Sequence, residues 1–589
     1  MTLRSLLLVA AATCAACAPF VTAGNGPAQA QAQQSELAAA RAALRQRLPE
    51  DEVIYFVLPD RFENGDPSND RGGIAGGRLQ HGFDPTHTGF YHGGDLRGLI
   101  NRLDYIQGMG VTAIWFAPIF KNKPVQAVGT PGVSAGYHGY WVTDFTTVDP
   151  HFGTEAEFRE FVDAAHARGI KVYMDIIANH TADVIQYTEG AAQNYPYRSI
   201  ADYPDVAYTP VVPEAERDIK VPAWLNDPQY YHNRGNSTFF GEDSIYGDFV
   251  GLDDLATGNP RVIAGMIDIY GSWIDRFGID GFRIDTARHV NPEFWQAFNP
   301  AMMERARAAG IPNFTIFAEA AIEDPDPGSI ARFTRVDRYP AVLDFAFQAA
   351  VRATVTRGEG PALFDRLFMG DDLYEGGQAQ ARTNPTFVGN HDMGRIGTFI
   401  REANPRATDA ETLARARLAN AMMFALRGAP TVYYGDEQGF VGDGNDQAAR
   451  ETMFPSRVAS YNDNDLIGTD STTATSNFNP DHPLYRQIAE LAAIRRAHPA
   501  LRRGRQVMRG YGRDAGLVSF ARFDPTSGRE YVIIFNTANR TMAGNVIIDR
   551  ASRRFTALTG PCPTAARAPG SLAVSLPAFG YMICAAEPN

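Results

Sequence analysis

IDGFRIDTARH, residues 279–289, is apolar along most of its length yet carries Arg283 and Asp285 two positions apart. Residues 279–285 read as a strand, and opposite charges inside a buried strand are costly to desolvate and weak as a stabilising device. A functional site explains them better. Three similar runs precede this one: VIYFVL (53–58), TAIWFAP (112–118) and KVYMDII (171–177). Four follow it: FTIFAE (314–319), AVLDFAF (341–347), TFVGN (386–390) and APTVYY (429–434). Amphipathic stretches such as EAEFREFVDAAHARG (155–169) and VIAGMIDIYGSWIDRFG (262–278) lie between most of them. Strands alternating with helices predict βα units and a parallel sheet. Eight strands with charged or polar residues at their C-terminal ends predict a (β/α)8 barrel whose site lies on that face.

The flanks divide the chain further. MTLRSLLLVAAATCAAC, followed by Ala-Gln-Ala at 28–30, has the layout of a secretory signal peptide over 1–32. That predicts an exported protein, periplasmic or secreted. Cys17 follows small residues, so a lipid anchor there is an alternative form of export. No later apolar run reaches about 18 residues, so no membrane span is expected in the mature chain. The barrel is expected over 33–176 and 258–503. The stretch 177–257, rich in Pro, Asn, Gly and aromatics, is too long for a plain loop and reads as an inserted domain. After LYRQIAELAAIRRAH (484–498) come short alternating runs such as LVSFARF, EYVIIFN and GYMIC, which predict an antiparallel β domain over 504–589.

Composition narrows the function. A net charge of −13 is the wrong sign for a nucleic-acid footprint. With 44% hydrophobic and 21% charged residues, the chain can hold a sizeable soluble core. Two of its four cysteines lie in the presequence. In an exported protein the other two, Cys562 and Cys584, favour a disulfide, with two buried thiols as the alternative.

Several strand ends carry acids or imidazoles: Asp175 with Asn179-His180 beyond it, Asp285 after Arg283, Glu319, and His391-Asp392. Unpartnered carboxylates facing a barrel interior are costly. Acids converging on one mouth suggest glycosidic chemistry or metal-assisted hydrolysis. The lack of His-x-x-x-His or similar spacing disfavours the second.

At this point the sequence resembles the α-amylase family of glycoside hydrolases over about residues 50–589. VYMDIIANH (172–180), GFRIDTARH (281–289), FAEA (317–320) and FVGNHD (387–392) resemble its four ordered motifs. GLDDLA (251–256), YHGYW (137–141) and GAPTVYYGDE (428–437) match further family segments. The resemblance implies Asp285 as nucleophile, Glu319 as acid/base and Asp392 as transition-state stabiliser. His138, Tyr140, Asp175, His180, Arg283 and His391 would form the sugar-binding site, and the substrate would be an α-glucan. The reaction implied is retaining hydrolysis through a covalent glycosyl-enzyme. Two physical expectations accompany it: Arg283 favours the ionised form of Asp285, and desolvation keeps Glu319 protonated.

The resemblance also implies Ca²⁺. ENGDPSND (63–70) is an oxygen-rich loop that reads equally as an Asx-rich turn. It is similar to a calcium loop of cyclodextrin glucanotransferases, with donors at Asn64, Asp66, Asn69 and Asp70 joined by Gly93 and Asp95. A second ion would bind Asn179, Asp254 and the His289 carbonyl where barrel and insert meet. Trp224, Tyr230, Tyr231 and Tyr246 of the insert are read mainly as packing residues and secondarily as sugar-stacking ones.

Within the family, cyclodextrin-forming transferases carry a bulky aromatic where this chain has Val250, and the ARH of 287–289 looks more like α-amylases than cyclomaltodextrinases. PDRFENGDPSND resembles the latter, and Ala320 stands where Val or Ile is usual. An α-1,4-glucan hydrolase is therefore expected. A cyclomaltodextrinase, neopullulanase or transglycosylase using the same acids is the alternative, and a non-catalytic sugar-binding protein a more distant one.

Overall fold

The protein is described by a computed structural model covering residue 35 and residues 38–127, 132–189 and 195–588. The presequence, with Cys14 and Cys17, lies outside the described residues. Eight strands form one parallel sheet: β1 Ile54–Val57, β2 Ala113–Phe116, β3 Lys171–Ile176, β4 Gly281–Ile284, β5 Thr315–Ala318, β6 Ala341–Val342, β7 Pro385–Thr386 and β8 Ala429–Tyr433. Their order, β6-β5-β4-β3-β2-β1-β8-β7, is that of a (β/α)8 barrel. The strands are buried along their whole length, which is why they read as continuous apolar runs rather than alternating ones. Between β6 and β7 two contacts continue the wall: the Asp344 N–H donates to the Pro385 carbonyl at 2.9 Å, and the Val342 N–H to Asn384 Oδ1 at 3.1 Å.

Two strands, β6 and β7, are only two residues long, far shorter than their apolar runs. In AVLDFAF only Ala341–Val342 is extended; Asp344 accepts from the Phe347 N–H at 2.9 Å and starts the helix Phe345–Arg357. A short apolar run does not distinguish strand from buried helix, and here the cap at its centre decides. In TFVGN the strand ends at Thr386, because the chain turns on Asn390, whose Oδ1 accepts from the Asp392 and Met393 N–H groups.

The helices follow their signals more closely. Thr154 and Glu157 form a capping box for Glu155–Ala167. Pro260–Phe277 begins after the Asn259 cap and stops at Gly278, whose φ of 65° suits glycine. Between β3 and Pro260 the chain forms short turns and the paired strands Gln186–Tyr187 and Pro210–Val211, and its Ala182, Val184 and Leu252 form a small apolar cluster with Trp141 from the segment before β3.

Beyond the barrel lies a five-stranded antiparallel sheet in the order Arg505–Gly510, Leu517–Phe523, Glu530–Asn536, Tyr581–Ala586, Phe555–Thr559. A hairpin-like pair, Met542–Ile547 and Ser571–Leu576, covers it over a core that includes Val532, Ile534, Leu572 and Met582. Cys562 and Cys584 are joined in a disulfide that ties the loop after Phe555–Thr559 to the last strand. Bridging positions 22 apart restricts the unfolded chain by roughly 3 kcal/mol in the chain-entropy model. Replacing both cysteines by serine should lower the denaturation midpoint of the C-terminal sheet by a corresponding amount. Equal midpoints for oxidised and reduced protein would contradict this.

Candidate active site

Register brings the first charges together. Across β3 and β4, Arg283 lies abreast of Asp175, so the two side chains leave the sheet on the same side. The Arg283 guanidinium is completely buried. Its Nη1 donates to Asp175 Oδ1 at 2.8 Å and to Asp285 Oδ1 at 2.7 Å, and its Nη2 lies 3.0 Å from Glu319 Oε1. One cation thus holds three carboxylates from the ends of three adjacent strands. Asp175 is anchored further through Oδ2, which accepts from Trp115 Nε1 at 3.0 Å and from the Tyr140 hydroxyl at 3.1 Å. Glu319 Oε2 accepts from the Thr286 N–H at 3.0 Å. Thr286 adopts a left-handed φ of 46°, uncommon for a β-branched residue and a form of strain found where a backbone group must be aimed.

Three negative charges against one positive charge, all withdrawn from water, cannot all be stable as anions. Burial pushes both Asp285 and Glu319 up to about 7, and the Arg283 charge only partly offsets it. Arg283 does favour the ionised form of Asp285, as its place in the motif suggests, but burial outweighs it. For Glu319 the direction is upward, as desolvation requires.

Asp392 sits differently. Its side chain is 48% exposed, with Oδ1 3.0 Å from Arg450 Nη2 and Oδ2 3.3 Å from His391 Nε2. Arg450 also donates to the His391 carbonyl at 3.0 Å and the Tyr137 hydroxyl at 3.1 Å, so it fixes the turn bearing both residues. His391 Nε2 is 2.9 Å from the Tyr140 hydroxyl, whose ring stacks on the imidazole. Burial pushes His138 and His391 well below the usual histidine range and His180 down to about 3. All three are neutral imidazoles. His180 Nε2 and His391 Nδ1 are buried without a hydrogen-bond partner, polar atoms left for a ligand to satisfy.

These groups open into a cleft of about 410 Å³ lined by His138, Tyr140, His180, Asp285, Glu319 and Asp392, with Phe249, Val250 and Leu252 as an apolar wall. Trp224, Tyr230, Tyr231 and Tyr246 do not line it. Trp224 and Tyr230 pack against each other under Arg261, Tyr231 is buried on Lys220, and Tyr246 packs on His232. Sequence reasoning missed Trp115, Thr286 and Arg450. Trp115 and Arg450 carry no distinctive spacing, and Thr286 lies inside the quoted motif but acts through its backbone.

The two oxygen-rich sets can be tested against a hard cation. Among the described residues no group of three or more His, Cys, Asp or Glu side chains is placed to hold a metal, so amide and carbonyl oxygens must contribute. In the first set, Asn64 Oδ1 and Asn69 Oδ1 are buried with no hydrogen-bond partner. Asp70 stands beside them, pushed up to about 6 by burial and the neighbouring acids. Asp95 already accepts from the Gly65, Asp66 and Gly98 N–H groups and from Asn69 Nδ2, close to its full capacity. Asp66 Oδ1 accepts from the Ser68 N–H. Gly93 is closed in by Asn64 and Asp70, both 2.5 Å from where a Cβ would stand. In the second set, Asn179 Oδ1 is buried without a partner, and burial raises Asp254 well above its usual range. Asp254 Oδ2 lies 2.5 Å from His232 Nδ1, and His289 turns its Nδ1 to the Ser244 carbonyl at 2.8 Å. Orphaned oxygens beside buried acids suit a hard cation in both places.

The family model described as "Alpha amylase, catalytic domain" matches residues 56–504. An α-amylase of Streptomyces lividans is 44% identical over 580 residues, covering 94% of this chain and 62% of that protein. A cyclomaltodextrin glucanotransferase of Geobacillus stearothermophilus is 30% identical over 517 residues, covering 86% and 61%. The chain thus spans a little over three-fifths of these relatives' length. Among solved structures, an α-amylase from Anoxybacillus aligns with a TM-score of 0.69 and 27% identity, covering 92% of this chain and all of that one. A cyclomaltodextrin glucanotransferase with a three-domain ABC distribution aligns with a TM-score of 0.71 and 26% identity, covering 91% and 99%.

The crowded carboxylates have a consequence for stability. A carboxyl raised to about 7 on folding contributes stability below its ordinary range near 4, which is lost as pH rises through 7. Asp285→Asn and Glu319→Gln should therefore each raise the unfolding free energy at pH 8 by on the order of 2 kcal/mol, a gain that shrinks towards pH 4. Calorimetric scans at the two pH values decide it; a stability loss at pH 8 would refute it.

Proposed function

The chain belongs to the α-amylase family, and from that membership we propose that it is a retaining hydrolase of α-1,4-glucosidic bonds in starch, maltodextrins or related α-glucans. The observation that carries this reading is the single Arg283 guanidinium contacting Asp285 and Glu319 from adjacent strand ends. Two carboxylates at such close quarters suit a nucleophile and an acid/base rather than a pair separated by a water. Asp285 attacks the anomeric carbon while Glu319 protonates the departing oxygen. Water, deprotonated by Glu319, then releases the sugar. A raised pKa keeps Glu319 protonated for the first step, and the cleaved bond's oxygen draws its proton from that carboxyl. Asp392, exposed at the rim and oriented by Arg450 and His391, binds sugar hydroxyls and favours the oxocarbenium-like state. His138, His180 and His391, being neutral, donate or accept hydrogen bonds without adding charge, and Tyr140 offers a ring face to the sugar.

Ca²⁺ completes the reading. Asn64, Asn69, Asp70 and Gly93 would hold one ion with Asp66 and Asp95 at its border, and Asn179, Asp254 and the His289 carbonyl a second. Bound there, each ion supplies charge that braces the loops around the cleft. Export agrees with the presequence and with the Cys562–Cys584 disulfide. No helix among the described residues is long and apolar enough to cross a membrane. Val250, half exposed on the cleft wall where transferases carry an aromatic, favours hydrolysis over cyclisation.

Glu319→Gln should lower kcat on maltodextrins by about 10²–10⁴ with little change in KM; undiminished turnover would remove Glu319 from the reaction. Product sizes from amylose, cyclodextrin and pullulan then separate an amylase from a cyclomaltodextrinase or transglycosylase. Chelation should lower the melting temperature and added Ca²⁺ restore it; a midpoint indifferent to both would count against the two ions.

A further inference from the structure

Just before the N-terminal end of β8, away from the strand ends that form the cleft, the C-terminal sheet meets the barrel, and the Arg427 N–H donates to Gln506 Oε1 at 2.8 Å. Arg522, on the strand Leu517–Phe523, is completely buried there. Its contacts are two long ones from Nη1, to the Ala425 carbonyl and Gln506 Oε1, both at 3.4 Å. Nε and Nη2 have no partner, and no carboxylate among the described residues forms an ion pair with it. Gln506 lies opposite Arg522 in the ladder, and its Nε2 is likewise buried and unpartnered.

The nearby acids are already committed. Both oxygens of Asp371 accept from Arg427 Nε at 2.9 Å, and Asp344 pairs with the same arginine. Arg495 is solvated by carbonyls, including those of Leu501 at 2.8 Å and Glu50 at 3.0 Å. Among the described residues Arg522 has no acid partner and only the two long contacts of Nη1. Burial and the like charges of Arg495, Arg382 and Arg427, offset only in part by Asp371, push its guanidinium well below the usual arginine range. Such a charge, closed off from water, needs a counter-ion or must be relieved of its proton. Buried water would satisfy the donors and leave the charge uncompensated.

We propose that the seam between barrel and C-terminal sheet binds one small monovalent anion of the chloride type, held by Arg522 Nε and Nη2 with Gln506 Nε2. The ion neutralises Arg522 and locks the sheet to the barrel. A larger oxyanion is not suited to donors with no exposed surface. The site lies apart from the cleft, so it acts on stability and leaves the chemistry alone.

Two measurements on the full chain test this. Crystals grown in sodium bromide should show an anomalous peak in contact with Arg522 Nε and Nη2; an ordered water there, or no density, overturns the proposal. In solution, replacing gluconate by chloride at constant ionic strength should raise the melting temperature by a few degrees, on the order of 2 °C. Arg522→Met should abolish that shift while retaining activity on maltodextrins. A wild-type midpoint independent of chloride, or a shift that persists in the variant, overturns the assignment. If the variant does not fold, the bromide experiment on the wild type still decides.

Discussion

Everything at the mouth of this barrel depends on one buried cation shared by three acids. Without the Arg283 guanidinium, Asp175, Asp285 and Glu319 would be three mutually repelling carboxylates in a site that water barely reaches. With it, they are gathered on one guanidinium at the barrel rim and remain short of positive charge. Burial, with the neighbouring acids adding to it, lifts the proton affinities of Asp285 and Glu319 towards neutrality. The arrangement is a poor one for stability, and the fold sustains it through the large apolar core around it.

The barrel provides that arrangement through register. β3, β4 and β5 are neighbours, and Arg283 stands beside Asp175 on one side and Phe317 on the other. Asp285 and Glu319 follow directly on the ends of β4 and β5, which brings them to the same rim. The insert contributes Phe249 and Leu252 to the opposite wall, while the turn after β7, pinned by Asn390 and Arg450, carries His391 and Asp392 inward. Residues more than two hundred positions apart therefore surround a single volume.

How much of this could be read in advance follows from which interactions are local. Strands buried on both faces are unbroken apolar runs, and their charged ends stand out, so the barrel and the placement of Asp175, Asp285, Glu319 and Asp392 at its rim were legible. The length of β6 was not, because Ala341–Phe347 is equally apolar as strand or helix and the Asp344 cap decides it. Arg450 was not, because its partners Tyr137 and Asp392 are distant in sequence. The effect of Arg283 on Asp285 was legible because the arginine is visible in the motif, whereas the burial that outweighs it is a property of the whole mouth. The aromatics of the insert pack as their main reading expected, although a tyrosine packed on Lys220 and one facing a sugar look alike in a sequence.

The most direct test is to trap the intermediate. Incubation with a fluorinated α-maltosyl fluoride, which slows release of the sugar, followed by proteolysis and mass spectrometry, should place one glycosyl group on the peptide carrying Asp285. The Glu319→Gln variant should accumulate the same adduct, because the activated leaving group needs no acid while release still needs the base. A label on Glu319 or Asp392, or steady turnover with no adduct on any carboxylate, would contradict the account of two acids working from one guanidinium.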